Sequence, residues 1–114
     1  YTDVLHKLGT LNFQNHLYGI QARALLLQAY YELDDYEEMF FNLTKSFGIF
    51  LYRNNDLAEN LKKAFSNFIN FAKKLLKAKN EYKSDVTSIE QALNTCSEIV
   101  YKGWLLEKLQ EQKK

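Results

Sequence analysis

The sequence predicts an all-α protein, and three observations carry that prediction. Apolar residues recur at helical spacing along most of the 114 residues. Three short segments have the form of an N-terminal capping box, and each stands at the head of such a periodic run. The chain has no proline and only four glycines, so its composition permits long helices. The expected architecture is a set of antiparallel helical hairpins, either a solenoid fragment or a small bundle of four to five helices. A chain of this length supports one domain, so residues 1–114 are read as a single all-α domain.

Val4, Leu5, Leu8 and Leu11 predict a short leading helix over residues 2–11, fraying near Gly9, with a turn over 12–15. A second helix is predicted over 16–33. Its apolar residues are Leu17, Ile20, Ala24, Leu25, Leu27, Ala29 and Tyr30, flanked by Leu26 and Leu33, a stripe wide enough to be buried on more than one side. Asp35 and Glu38 form the first capping box, and a helix should follow over 36–52. Phe40, Leu43, Phe47 and Phe50 make its apolar face, widened by Met39 and Leu51. Asp56 and Glu59 form the second box and open a long helix to Lys79, with Leu61, Ala64, Phe65, Phe68, Ala72, Leu75 and Leu76 inside. Thr87 and Glu90 form the third box. They open a last helix to about Gln110, with Ile89, Leu93, Cys96, Val100, Trp104 and Leu105 inside.

Charge and composition narrow the function classes. Apolar residues are 46% of the chain, enough for a folded core, and the net charge is +1. That near balance disfavours a dedicated nucleic-acid or membrane-surface module. No apolar run approaches the ~20 residues that span a bilayer, so no membrane insertion is expected. The single Cys96 cannot form an intrachain disulfide, reads as a buried thiol, and leans toward a reducing, cytoplasmic compartment. The chain starts at Tyr1 rather than methionine and is expected to be a piece of a longer protein, so a missing targeting signal carries no weight.

No catalytic motif, metal cluster or phosphate loop is present, and neither an enzymatic activity nor a cofactor is expected. His6 and His16 have no partner at metal-ligand spacing, and no metal is expected. Glu32, Asp34, Asp35, Glu37 and Glu38 lack the alternating oxygens and the glycine of a calcium loop, and read as capping and solvation. The lysines over 62–83 interleave with Phe65, Phe68, Phe71 and Tyr82, a pattern that can mark single-strand binding. The aromatics, however, fall at core spacing and the lysines on the other side, so a solvated face is the better account.

Residues 22–51 resemble a divergent tetratricopeptide repeat (TPR-like). The resemblance rests on Leu26, the pair Ala29 and Tyr30, the turn Asp34, Asp35 and Tyr36, then Leu43 and Ser46. The chain departs from that repeat at Leu27 and Met39, where it favours small residues, at Asp34, where it has glycine, and at Leu51, where proline closes the unit. The stretch over 11–76 also resembles C-terminal regions of larger uncharacterised bacterial proteins of helical-repeat type, with matching residues at 22–36, 46–54 and 67–75. The resemblance implies a groove lined by the first helix of the pair, with Gln21, Ala24, Gln28, Tyr31 and Glu32 facing it. Gln21, Gln28, Tyr31 and Glu32 are thus the candidate contacts to an unknown protein or peptide. The expected function is a non-enzymatic protein-interaction or scaffolding segment, capping the C-terminus of a helical-repeat protein. The alternative is a helical adaptor or regulatory domain that binds a nucleic acid or an acidic partner through its lysine-rich face.

Overall fold

The computed structural model describes residues 16–33, 35–55, 57–80 and 86–113. All regular structure among them is helical, in five helices and no strand: α1 (His16–Glu32), α2 (Glu37–Arg53), α3 (Glu59–Asn80), α4 (Thr87–Thr95) and α5 (Lys102–Lys113). The predicted helix over 2–11 lies outside the described residues. The chain forms two compact units, Tyr1–Phe50 and Leu51–Lys114.

In the first unit, α1 and α2 form an antiparallel hairpin. Near the turn, the Tyr31 ring meets Phe40 edge-on at 6.2 Å. Far from it, the Arg23 guanidinium lies 3.9 Å over the Phe50 ring. Ile20, Ala22, Ala24, Leu27, Ala29 and Tyr31 are all buried, and these positions fall on two opposite sides of α1. The predicted wide stripe is therefore observed, although Leu25 lies outside it, 45% exposed. On α2 the buried face is Phe40, Thr44, Phe47 and Leu51, a spacing of four, three and four. It is rotated from the predicted face, because Leu43 and Phe50 are only half-buried and Met39 is exposed. Thr44 can take a core position because its hydroxyl donates to the Phe41 carbonyl at 2.7 Å, so burial strands no donor.

Each capping box marks a helix start, but another residue holds the cap. The Phe40 N–H donates to the Tyr36 carbonyl at 2.8 Å, which puts Tyr36 at the N-cap of α2. Asp35 has φ 68°, in the left-handed region, where aspartate is better tolerated than most residues; it makes the turn instead. Ala58 accepts the N–H of Leu61 and of Lys62, so Glu59 opens α3 as its first residue rather than its third. Val86 caps α4 without a side-chain bond, and Thr87 is the first helical residue. The acidic residues Glu37, Glu38, Glu59 and Glu90 still fall in first turns, where the helix dipole favours them.

The second unit corrects the predicted last helix, which is two helices. Its core is an up-down-up arrangement of α3, α4 and α5. Phe68 meets the rings of Tyr101 at 5.3 Å and Trp104 at 6.1 Å, and Gln112 donates to the Leu75 carbonyl at 2.8 Å, so α5 runs parallel to α3. An ion pair between Glu90 and Lys113 closes the antiparallel α4–α5 hairpin. The break between them begins at Cys96, which is extended at φ −82° and ψ 115°, and ends at Tyr101, whose φ is 55°. The Asn67 carboxamide on α3 holds it, donating to the Glu98 carbonyl at 2.8 Å and to the Cys96 sulfur at 3.6 Å. Lys102 reaches back to the Cys96 and Asn94 carbonyls at 3.1 and 3.4 Å, a cation at the C-terminal end of α4.

Phe65, Phe68, Ile69, Ala72, Leu75 and Leu76 form the α3 stripe of that core, met by Leu93, Leu105 and Leu109. Of the residues the sequence places at the centre of the core, Phe47, Phe65 and Phe68 are buried, while Tyr30, Leu43 and Trp104 are only half-buried. Lys108 is 5% exposed within the α5 stripe, with Glu111 at 2.9 Å and Glu107 at 3.7 Å.

Phe68→Ala should destabilise the protein by about 3–5 kcal/mol, from lost transfer energy and an incompletely collapsed cavity. Chemical denaturation followed by circular dichroism checks it. Asn67→Ala should cost only about 0.5–1.5 kcal/mol, the usual net worth of a hydrogen bond. Its signature is local: amide exchange over 97–101 should accelerate while the α3 core keeps its protection.

Candidate functional site

The structure separates the candidate contacts on α1. Gln21 is exposed and Glu32 half-exposed, but Gln28 and Tyr31 are 7% and 3% exposed, and Ala24 is fully buried. The expectation that Gln28 and Tyr31 lie open is therefore corrected: both lie beside the buried face of Ile20, Ala24 and Leu27, and Tyr31 spends its ring on Phe40. The Gln28 Nε2 has no hydrogen-bond partner. A buried, unpaired amide donor is a cost to the fold, not an offered contact.

The groups weighed for chemistry do not converge. His6 and Asp34 lie outside the described residues. Among the described residues no three of His, Cys, Asp and Glu stand close enough to hold a metal ion. No helix there is long and apolar enough to cross a membrane. Cys96 is half-buried in the α4–α5 break rather than inside a continuous helix, its sulfur 3.8 Å from the Glu98 carbonyl. An open depression beside α2 is lined by Tyr52, Arg53, Asn55, Glu59 and Lys62. Lys62 and Glu59 pair within it at 3.8 Å, so part of its charge is already answered.

What the fold does present is the outer face of α2. Ile49 is 50% and Tyr52 is 83% exposed, one turn apart, and Met39 is 52% exposed toward the start of the same helix. Ile49 lies about 180° round the helix from Phe40, so burial of Phe40 and Phe47 forces it outward. The sequence reading missed this face because it named only the core face of α2 and left Ile49 and Tyr52 without a role. The signal was available: nine residues separate Phe40 from Ile49, a half-integral number of turns. Met39, placed on the core face by the sequence, lies about 100° round the helix from Phe40 and is exposed.

The lysine face of α3 is also visible. Lys74 and Lys77 are exposed and Lys73 is half-exposed, with no carboxylate in ion-pair range of them among the described residues. Phe65, Phe68 and Phe71 are buried, as their core spacing predicts, and the Lys74 ammonium sits 5.4 Å over the Phe71 ring.

Partial burial shifts three groups. Desolvation pushes the Arg23 guanidinium below its usual value. Burial raises the Tyr101 phenol, and burial, with a smaller effect from Tyr36 stacked on it at 5.5 Å, raises Tyr30. An acid whose folded value lies above its unfolded value contributes stability that is intact below the unfolded value and lost as pH rises through the folded one. The protein should therefore lose stability on the alkaline side of the ordinary tyrosine range. NMR titration of ring-labelled tyrosine should show Tyr30 and Tyr101 ionising at higher pH than a model phenol; titration of both at the ordinary value would contradict their burial.

Comparison with protein-family models, with curated proteins and with solved structures finds no match to this chain.

Proposed function

We propose that this chain is a non-enzymatic, helical protein-interaction or scaffolding element of tetratricopeptide-like type. The observation that carries the reading is the outer face of α2, where Ile49 and Tyr52 stand exposed one turn apart on a helix whose other face is fully engaged. A tyrosine that is 83% exposed offers area and a hydroxyl at low entropic cost, the combination that enriches tyrosine at interfaces. The antiparallel α1–α2 hairpin, with Tyr30 stacked on Tyr36 across the turn, supports the likeness to a helical repeat unit. Gln21 and Glu32 remain accessible and define a second approach along α1.

The alternative, an adaptor that uses its lysine-rich face, draws on Lys73, Lys74 and Lys77. With the neighbouring phenylalanines buried, that face has charge but no aromatic platform on which bases stack, so it suits an acidic partner better than a single strand. Salt separates the readings: an apolar contact through Ile49 and Tyr52 should persist as salt rises, whereas a lysine contact should weaken.

A photo-crosslinking amino acid placed at Tyr52, with parallel placements at Gln21 and Glu32, tests the proposal in cells of the source organism. Tyr52 should yield a protein adduct of one defined mass, and Ile49→Gln should deplete it while the circular dichroism spectrum is unchanged. Adducts from Gln21 and Glu32 alone would move the contact to α1. No adduct at any of the three would overturn the reading.

A further inference from the structure

The two units carry opposite charge. Residues 1–50 hold 3 Lys and Arg against 6 Asp and Glu, and residues 51–114 hold 12 against 8, so a net +1 conceals −3 and +4. The acidic side is concentrated at the α1–α2 turn, where Asp35, Glu37 and Glu38 are exposed and have no cation in ion-pair range among the described residues. The basic side is concentrated on α3, where Lys74 and Lys77 lie one turn apart and Lys73 flanks them, all without a carboxylate partner.

We infer that the α3 lysine ridge is a docking surface for the acidic α1–α2 turn of a second copy of this chain, giving a head-to-tail association. The inference rests on the reading of the chain as an interaction element and names one partner for it. Four features favour that occupant. Lys73 to Lys77 covers about 6 Å of helix, which matches a compact acidic cluster rather than an extended polyanion. Glu37 and Glu38 adjoin on the first turn of α2 and present such a cluster. Met39, exposed beside them, gives the apolar stems of the lysines something to lie against. A long nucleic acid seated on the ridge would gain nothing from base stacking, because Phe65, Phe68 and Phe71 are buried. A turn-to-ridge contact is heterologous, since the surfaces that meet differ, so it can extend beyond a dimer.

Single exposed ion pairs are weak, so the association should be weak, with an apparent Kd on the order of 0.1–1 mM at low salt. Sedimentation equilibrium should show self-association that falls at least about tenfold between ~20 mM and ~500 mM salt. Lys74→Glu/Lys77→Glu and, separately, Glu37→Lys/Glu38→Lys should each be monomeric at low salt, and an equimolar mixture of the two should associate again. Lys45→Glu/Arg53→Glu makes the same charge change elsewhere on the surface and should leave self-association intact. If a charge reversal unfolds the chain, Lys74→Gln/Lys77→Gln replaces it and should weaken association in the same direction. A monomer at every salt concentration overturns the inference, as does association that survives loss of the ridge lysines or is lost equally in the control. Binding of a 20-nucleotide single strand through Lys74 and Lys77, without self-association, would reassign the ridge to a polyanion. The Tyr52 crosslink is independent: adducts there with no self-association would sink this inference and leave the interaction reading standing.

Discussion

One carboxamide fastens the α4–α5 break to α3 in the second unit. Asn67 sits on α3 with Phe65 and Phe68 on either side of it in sequence, and its side chain reaches the α4–α5 break at the Glu98 carbonyl and the Cys96 sulfur. Without the break, residues 87–113 would continue as one rod and could lay only one stripe against α3. With it, α5 doubles back beside α3, and Leu93 and Leu105 both reach the core. The same few residues fix the aromatic packing. Tyr101 takes a positive φ at the end of the break and places its ring against Phe65 at 6.4 Å and Phe68 at 5.3 Å. The strained residue and the buried aromatic pair are thus two sides of one arrangement, in which apolar burial offsets the backbone cost at Tyr101.

Those contacts also show where a single sequence runs out. The α3 stripe was legible because Phe65, Phe68, Ala72, Leu75 and Leu76 repeat at helical spacing without ambiguity. The break was not legible, because nothing local announces it: no proline, and glycine only at Gly103, inside α5. Thr95 and Ser97 weaken the helix slightly, and Thr95 turns its hydroxyl onto the Gln91 and Ala92 carbonyls, but neither residue ends a helix alone. The deciding bond joins residues 31 positions apart, and no periodicity encodes it. The capping boxes fail in a similar way. They located helix starts because acidic first turns are favoured by the dipole, yet they named the wrong cap because Asp35 was needed for the turn.

The candidate contacts were misplaced for a different reason. Periodicity tells which residues share a face; it does not tell how many faces are covered. On α1 three of the residues assigned to the groove, Ala24, Gln28 and Tyr31, are buried, so the side given to a groove is core. On α2 the reverse holds for Met39, which was counted as core and is 52% exposed. Ile20, Ala24 and Leu27 on one side of α1 and Ala22 and Ala29 on the other are buried, so among its described side chains only Gln21 and Leu25 are exposed. Ile49 and Tyr52 were identifiable once Phe40 and Phe47 were fixed as the inner pair.

The surfaces left over differ in the physics by which they can hold a partner. The outer face of α2 offers apolar area in a few side chains, which favours an apolar partner surface that excludes water. The ridge on α3 offers charge with no carboxylate in ion-pair range among the described residues, which favours approach by an acidic group and loses strength with salt. Lys108 shows that the chain does not leave cations unanswered by default: inside the α5 stripe it is met by Glu111 and Glu107 and lies 5.9 Å over the Trp104 ring. Lys113 and Lys63 likewise find Glu90 and Glu98. Against that background Lys73, Lys74 and Lys77 on α3 and Asp35, Glu37 and Glu38 at the α1–α2 turn, none with an ion-pair partner among the described residues, are complementary remainders of opposite sign. One chain supplies both halves of a contact that requires neither Ile49 nor Tyr52.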